Sequence, residues 1–410
     1  MSFRVHLEGN GGTWESVEQA ATLPVKSVQV AGNAVTVSLG IAGFEGKLDD
    51  AGQSIDGMFK QGPNSVALTL KRFAGEFTPP KRPQDPVRPF PYTEEEVTIA
   101  TSGKPTLGGT LTLPRTGGPF PAVLLISGSG AQDRDEALLG HRPFLVLSDS
   151  LTRAGFAVLR LDDRGVGKSG GDFATTSYAD KVGDVHAAIR FLKARKDLDA
   201  ARIGVVGHSE GATIGPLAAV ESKDIAFVVM MAGMGVSGRE LLKQQGIDVT
   251  RAAGGTDAQV AAQVEVQTKL FDIYREAKTP EEARERTRRL LGTGARAEGQ
   301  IQMMESASIR DLLAMQAGPI LVRLSVPVLA MNGSLDTQVS AKQNLPAIAA
   351  ALSVSDSKDW QVTELPGLNH LFQSAKTGGV GEYGTIEETL APVALRTINA
   401  WLGERFLIRK

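Results

Sequence analysis

The residues with the clearest chemical potential are Gly207-His208-Ser209-Glu210-Gly211. An apolar run, Ile203 to Val206, precedes them, and a helix-forming run opens at Ala212. A serine at a sharp strand-to-helix turn is held in a strained backbone that exposes its hydroxyl. The flanking positions must be glycine, because a β-carbon there would strike the adjoining strand and helix. The helix N-terminus adds a field that favours a developing oxyanion. Such a serine is a nucleophile only beside a base, and the base needs an acid to orient it. His370 is the one histidine downstream of Ser209 and follows the expected strand Trp360 to Leu365. Asp336 follows a second run, ending at Met331. The order Ser, Asp, His suits a nucleophile on this kind of turn, and both runs end at the sheet edge where ligands bind in open α/β sheets. Ser209, His370 and Asp336 are therefore the expected nucleophile, base and orienting acid. Glu364 and Asp356 are rivals to Asp336, but they lie within or before their strand.

The oxyanion donors are expected to be backbone N–H groups: that of Glu210, which follows the nucleophile, and one from Ser127-Gly128-Ser129-Gly130. Ser129 is preferred there and Gly128 is the alternative; the hydroxyl of Ser129 need not matter.

Other matches have plainer accounts. Gly167-Lys168-Ser169-Gly170-Gly171 repeats the G-x-S-x-G spacing, but no helix follows, so it reads as loop. The overlapping stretch from Gly165 to Gly170 fits a dinucleotide fingerprint without the strand-to-helix junction that chemistry needs. His208 is expected to pack or hydrogen-bond locally, His186 to lie in mid-helix, and His141 to be structural at the pocket edge. Gln132-Asp133-Arg134-Asp135 and Asp162-Asp163-Arg164 read as loops braced by charge pairs. No histidine spacing suggests a metal site, and no metal or organic cofactor is expected.

These residues need a scaffold. Expected strands at 122–126, 156–161, 203–206, 225–231, 326–331 and 360–365 alternate with helical stretches at 142–154, 178–194, 212–219, 341–352 and 386–401. Strands buried on both faces and joined by helices predict a mostly parallel sheet flanked by helices. A hairpin at 97–101 and 107–113 precedes it. Residues 236–325 interrupt the alternation with helices and read as a cap insertion. Residues 1–75 carry period-two patterning between glycine-rich turns, which predicts a small antiparallel β domain. Six prolines within residues 79–91 mark a stiff linker, placed at 76–94, so that the catalytic domain spans 95–410.

Composition bounds the alternatives. The chain of 410 residues is 42% hydrophobic and 22% charged with a net charge of −2, which fits a globular protein and not a dedicated nucleic-acid binder. It contains no cysteine, which excludes thiol nucleophiles and disulfide scaffolds. No apolar run is long enough to span a bilayer.

Three segments together, Leu125 to Asp135, Asp162 to Ser169 and Gly207 to Gly211, resemble the α/β-hydrolase superfamily. Within it they resemble a bacterial carboxylesterase group similar to the EstD-type esterases of Thermotoga. Gly46-Lys47-Leu48, Gln61-Gly62 and Leu68 to Arg72 fit the end of that group's N-terminal β domain. The resemblance implies serine-dependent hydrolysis of short-chain carboxylic esters through an acyl-enzyme, on a small-molecule substrate and without a cofactor. A serine peptidase or amidase, or an acyl thioesterase, on the same fold are the alternatives, and a non-catalytic binding module comes behind them. A homo-oligomer is compatible with this reading. No signal peptide opens the chain; exported relatives imply a periplasmic or secreted location if a leader has been removed, with the cytoplasm as the alternative.

Overall fold

A computed structural model describes residues 3–16, 21–40, 42–61, 64–73, 81–101 and 105–407. Residues 62, 79 and 80, invoked above, lie outside them. The chain packs as two compact units: residues 1–81, 138–140 and 269–305 form one, and residues 82–137, 141–268 and 306–410 form the other.

In the first unit, β1 (Phe3–Glu8), β2 (Gly11–Ser16) and β3 (Ala21–Val25) form an antiparallel sheet. A second antiparallel sheet orders β4 (Ser27–Ala31), β5 (Ala34–Ser38), β6 (Ala42–Leu48), β7 (Ser54–Gln61) and β8 (Asn64–Lys71) consecutively. Alternation sets the buried face: Val35 and Val37 point inward while Ala34 and Thr36 are exposed. They pack with Trp14, Val25, Leu39, Phe44 and Phe59, and the Trp14 and Phe59 rings stack at 5.2 Å.

The second unit is built on one eight-stranded sheet. Its strands are β9 (Tyr92–Ala100), β10 (Thr106–Pro114), β11 (Phe120–Ile126), β12 (Ala157–Leu161), β13 (Leu198–His208), β14 (Val228–Met231), β15 (Val328–Gly333) and β16 (Trp360–Leu365). The spatial order is β9-β10-β12-β11-β13-β14-β15-β16, with β10 antiparallel to both its neighbours and the strands from β12 through β16 parallel. This order, with its antiparallel edge and helical crossovers, is the α/β-hydrolase fold. Helices α1 (Pro143–Ala154), α2 (Tyr178–Lys193) and α3 (Gly211–Glu221) cover the first half. The residues of β14 and β15 are buried throughout, as two covered faces require.

The interruption after β14 is helical: α4 (Gly238–Ala252), α5 (Asp257–Glu276), α6 (Pro280–Leu291), α7 (Ala295–Glu305), α8 (Ala307–Ala314) and α9 (Ala317–Leu321). It does not pack as one cap over 236–325. Residues 269–305 cluster with the first unit, where α7 lies against β8, and the flanking residues cluster with the sheet. Paired arginines hold α6 to α7, Arg284 to Glu305 and Arg288 to Glu298.

Two other expectations change. The proline-rich stretch after residue 81 is not a free spacer. Gln84 accepts the N–H groups of Thr389 and Leu390 and donates to the Leu390 carbonyl, and Tyr92 donates to Asp149 at 2.8 Å. The final helix begins later than residue 386: α10 (Ala341–Ser353) is followed, after β16, by α11 (Pro392–Phe406). Pro392 fixes the first turn of α11 and disfavours helix in the residue before it.

Candidate active site

β13 delivers Ser209 to its turn. Ser209 has φ +54, a left-handed backbone rare for a residue with a side chain. Its N–H donates to the Met231 carbonyl at 2.8 Å, and its own carbonyl accepts from the N–H of Ala212 in the first turn of α3. The flanking glycines are forced. A β-carbon on Gly207 would lie 2.1 Å from the Gly211 carbonyl oxygen, and one on Gly211 would lie 2.1 Å from that of Ile126.

Asp336 sits three residues past β15. One carboxylate oxygen accepts the N–H groups of Gln338 and Val339, each at 2.8 Å. The other lies 2.8 Å from Nδ1 of His370. His370 sits five residues past β16, in a loop tied by Asn369, which accepts from the N–H groups of Leu371 and Gln373. Because the Asp336 oxygen can only accept, His370 carries its proton on Nδ1 and turns the lone pair of Nε2 outward. That nitrogen is 3.1 Å from the Ser209 oxygen, which donates to it. The Ser209 hydroxyl, the His370 imidazole and the Asp336 carboxylate are thus in line, and such a line can draw the proton from a serine as it attacks a carbonyl. Glu364 and Asp356 are exposed and make no such contact.

Ser129 and Glu210 both line the cavity that reaches Ser209, and no described residue accepts a hydrogen bond from either N–H. Gly128 is not available as an oxyanion donor: its N–H is donated to the buried carboxylate of Glu136 at 2.6 Å.

Several groups brace these loops. Ser169 of the second G-x-S-x-G stretch is buried, donating to the Asp162 carbonyl and accepting from the N–H of Gly108. Asp162 pairs with Arg134, and Asp135 with Arg160. Asp163 accepts from the Ser127 hydroxyl and the Gln132 N–H, each at 3.0 Å. Burial pushes its carboxyl up to about 6, against the pull of those donors and Lys181. His186 bonds the Ala218 carbonyl. His141 is buried between Thr389, the Tyr383 carbonyl and Gln373, and burial, with the nearby Arg82 charge, lowers it to about 4.

Sequence reasoning passed over Glu136 and Lys181. Lys181 holds the carboxylate of Glu210, which fixes the residue that follows Ser209. Glu136 is a buried acid beside the apolar run Ala137-Leu138-Leu139, and that contrast was its one visible signal.

The cavity is about 280 Å³. Leu241, Leu242, Ile309, Leu312, Met234 and Val339 give it an apolar wall, with Gln245, Gln338 and Ser308 as neutral polar groups. Among the described residues, no group of three or more His, Asp or Glu could hold a metal ion, and no helix is long and apolar enough to cross a membrane.

The sequence pattern described as X-Pro dipeptidyl-peptidase (S15 family) matches residues 106–363, well over half of the chain and the whole stretch from β10 through most of β16. The chain belongs to the S15 family. This S15 protein is 28% identical over 292 residues to the esterase EstD of Thermotoga maritima, a match covering 71% of this chain. It spans 63% of that relative's length. A solved esterase of Pyrococcus furiosus shares 18% identity at a TM-score of 0.47, over 82% of this chain and 96% of that one. An α/β hydrolase from a Penicillium species shares 15% at 0.49, over 77% and 100%.

Proposed function

We propose that this S15 protein is a serine esterase that hydrolyses carboxylic esters with short acyl chains. The observation that carries the reading is the Asp336–His370–Ser209 line, at 2.8 and 3.1 Å, opening into a cavity of about 280 Å³. Ser209 attacks the ester carbonyl while His370 takes its proton. The Ser129 and Glu210 N–H groups stabilise the oxyanion, each donor lowering the barrier by roughly 3 kcal/mol. Asp336 holds His370 in the required tautomer and offsets the charge it gains. The tetrahedral adduct collapses as His370 returns the proton to the departing alcohol. Water, deprotonated by His370, then cleaves the acyl-enzyme and restores Ser209.

The family's description favours a second reading, a peptidase. Its substrate would bring an N-terminal ammonium, which calls for an unengaged acidic side chain. Glu210 is the one carboxylate among the described residues lining the cavity, and Lys181 already holds it. A neutral acyl group suits this wall better.

An ester panel graded by acyl length, beside isosteric amides, tests the reading on the wild type and on Ser209→Ala. Short-chain esters should turn over far faster than amides, and the variant should turn over neither. Comparable turnover of amides would favour the peptidase.

A further inference from the structure

His208 precedes the proposed nucleophile and is buried. Its Nδ1 lies 2.9 Å from Oε1 of Glu136, and its Nε2 lies 3.0 Å from the backbone carbonyl of His370. A backbone carbonyl only accepts, so Nε2 must carry a proton. Oε1 of Glu136 already accepts the N–H of Gly128 at 2.6 Å, so it too faces His208 as an acceptor. Nδ1 must therefore carry a proton as well. With both nitrogens donating, the ring is an imidazolium. Leaving that charge unpaired in a buried place would be costly, and the Glu136 carboxylate compensates it.

We propose that His208 is a positioning residue, a standing imidazolium that with Glu136 locks together the three loops carrying the reacting groups. One link runs through Glu136 to Gly128, the neighbour of the oxyanion donor Ser129. The second is the peptide bond to Ser209. The third is the hydrogen bond to the His370 backbone, with the two imidazole rings 4.9 Å apart. Glu136 takes up a left-handed backbone, φ +52, to reach this position. Small displacements at reacting atoms cost large factors in rate, so a clamp on these three loops acts on turnover more than on substrate binding.

The titratable groups facing the ring are the Glu136 carboxylate, the neutral His370 imidazole and, farther off, the Asp336 carboxylate. Burial pushes the His208 proton off, but the Glu136 carboxylate, its hydrogen bond and the His370 carbonyl outweigh burial and hold it on.

The proposal rests on the reading of Ser209, Asp336 and His370 as the reacting set, and its test separates the two. The full chain is labelled with ¹⁵N-histidine, and ring ¹H–¹⁵N correlations are recorded as the pH is raised past the ordinary histidine range. One of the five histidines should keep both ring nitrogens protonated, and that signal should vanish in His208→Gln. In Glu136→Gln, kcat on a short-chain ester should fall roughly 10–100-fold with KM within about twofold. Absence of a doubly protonated histidine in the wild type overturns the proposal, as does a Glu136→Gln enzyme with unchanged kcat. The wild-type spectrum decides the imidazolium even if a variant does not fold. An enzyme inactive on every ester, with the signal intact, would sink the esterase reading instead.

Discussion

Nε2 of His370 lies 3.1 Å from Oγ of Ser209, although 161 positions of sequence separate them. Parallel strands make this meeting unavoidable. β13 and β16 run in the same sense, so the loops that leave their C-terminal ends share one edge of the sheet, and β15 delivers Asp336 there between them.

In the proposed reaction Asp336 orients His370 and compensates the charge it gains. Asp336→Asn keeps the shape but offers Nδ1 an amide that can stabilise the wrong tautomer. The expected outcome is a fall in kcat on the order of 10³–10⁴-fold with little change in KM, measured by steady-state ester hydrolysis.

Gly211 has no room for a methyl group. Gly211→Ala would put a β-carbon 2.1 Å from the Ile126 carbonyl oxygen, which is backbone and cannot swing aside. The turn must open, moving Ser209 from His370. A loss of roughly 1–3 kcal/mol of stability is expected from the overpacking. Denaturant unfolding would show it, and active-site titration should show a larger loss of function than the lost stability explains.

In the proposed reaction the cavity wall sets acyl length. Leu241 comes from α4 and Ile309 from α8, and both face Ser209 across about 280 Å³. Ile309→Trp fills that space. The ratio of kcat/KM for hexanoyl over acetyl esters should drop roughly tenfold or more, since a few methylenes of apolar contact are worth that factor. An unchanged ratio would place the acyl group elsewhere.

His141 makes stability depend on acid. Burial, with help from Arg82, lowers it to about 4 in the folded protein, against an ordinary 6.5. The unfolded chain therefore binds this proton first as pH falls. The stabilisation is complete above 6.5 and is lost on descending from there to about 4, by roughly 3 kcal/mol at most. Denaturant unfolding at a series of pH values should show that loss, and His141→Gln should flatten it whatever its effect on stability at neutral pH.

The legible part of this protein was local. Gly207 and Gly211 flank Ser209 because of steric demands a few residues away, and those demands show in any short window of sequence. The apolar runs that became β11 to β15 were readable for the same reason, since burial on both faces leaves little choice of residue type. What stayed hidden depended on distant partners. Nothing near Gly128 announces that Glu136 takes its N–H, so Gly128 stayed as the alternative to the preferred Ser129 as oxyanion donor. Gln84 sits in a stretch whose prolines read as a spacer, yet its amide is bound some 300 positions away in sequence at Leu390. The helical insertion reads as one segment, but its amphipathic faces do not say which sheet each will meet, and its middle clusters with the N-terminal unit.

The central claim is that the Ser209 hydroxyl is the nucleophile. A fluorophosphonate probe, which reacts with activated serines, tests it when followed by peptide mapping. The account predicts a single adduct on Ser209, formed in step with loss of ester hydrolysis, and neither labelling nor hydrolysis in Ser209→Ala. An adduct on another residue, or ester hydrolysis persisting in that variant, would contradict it.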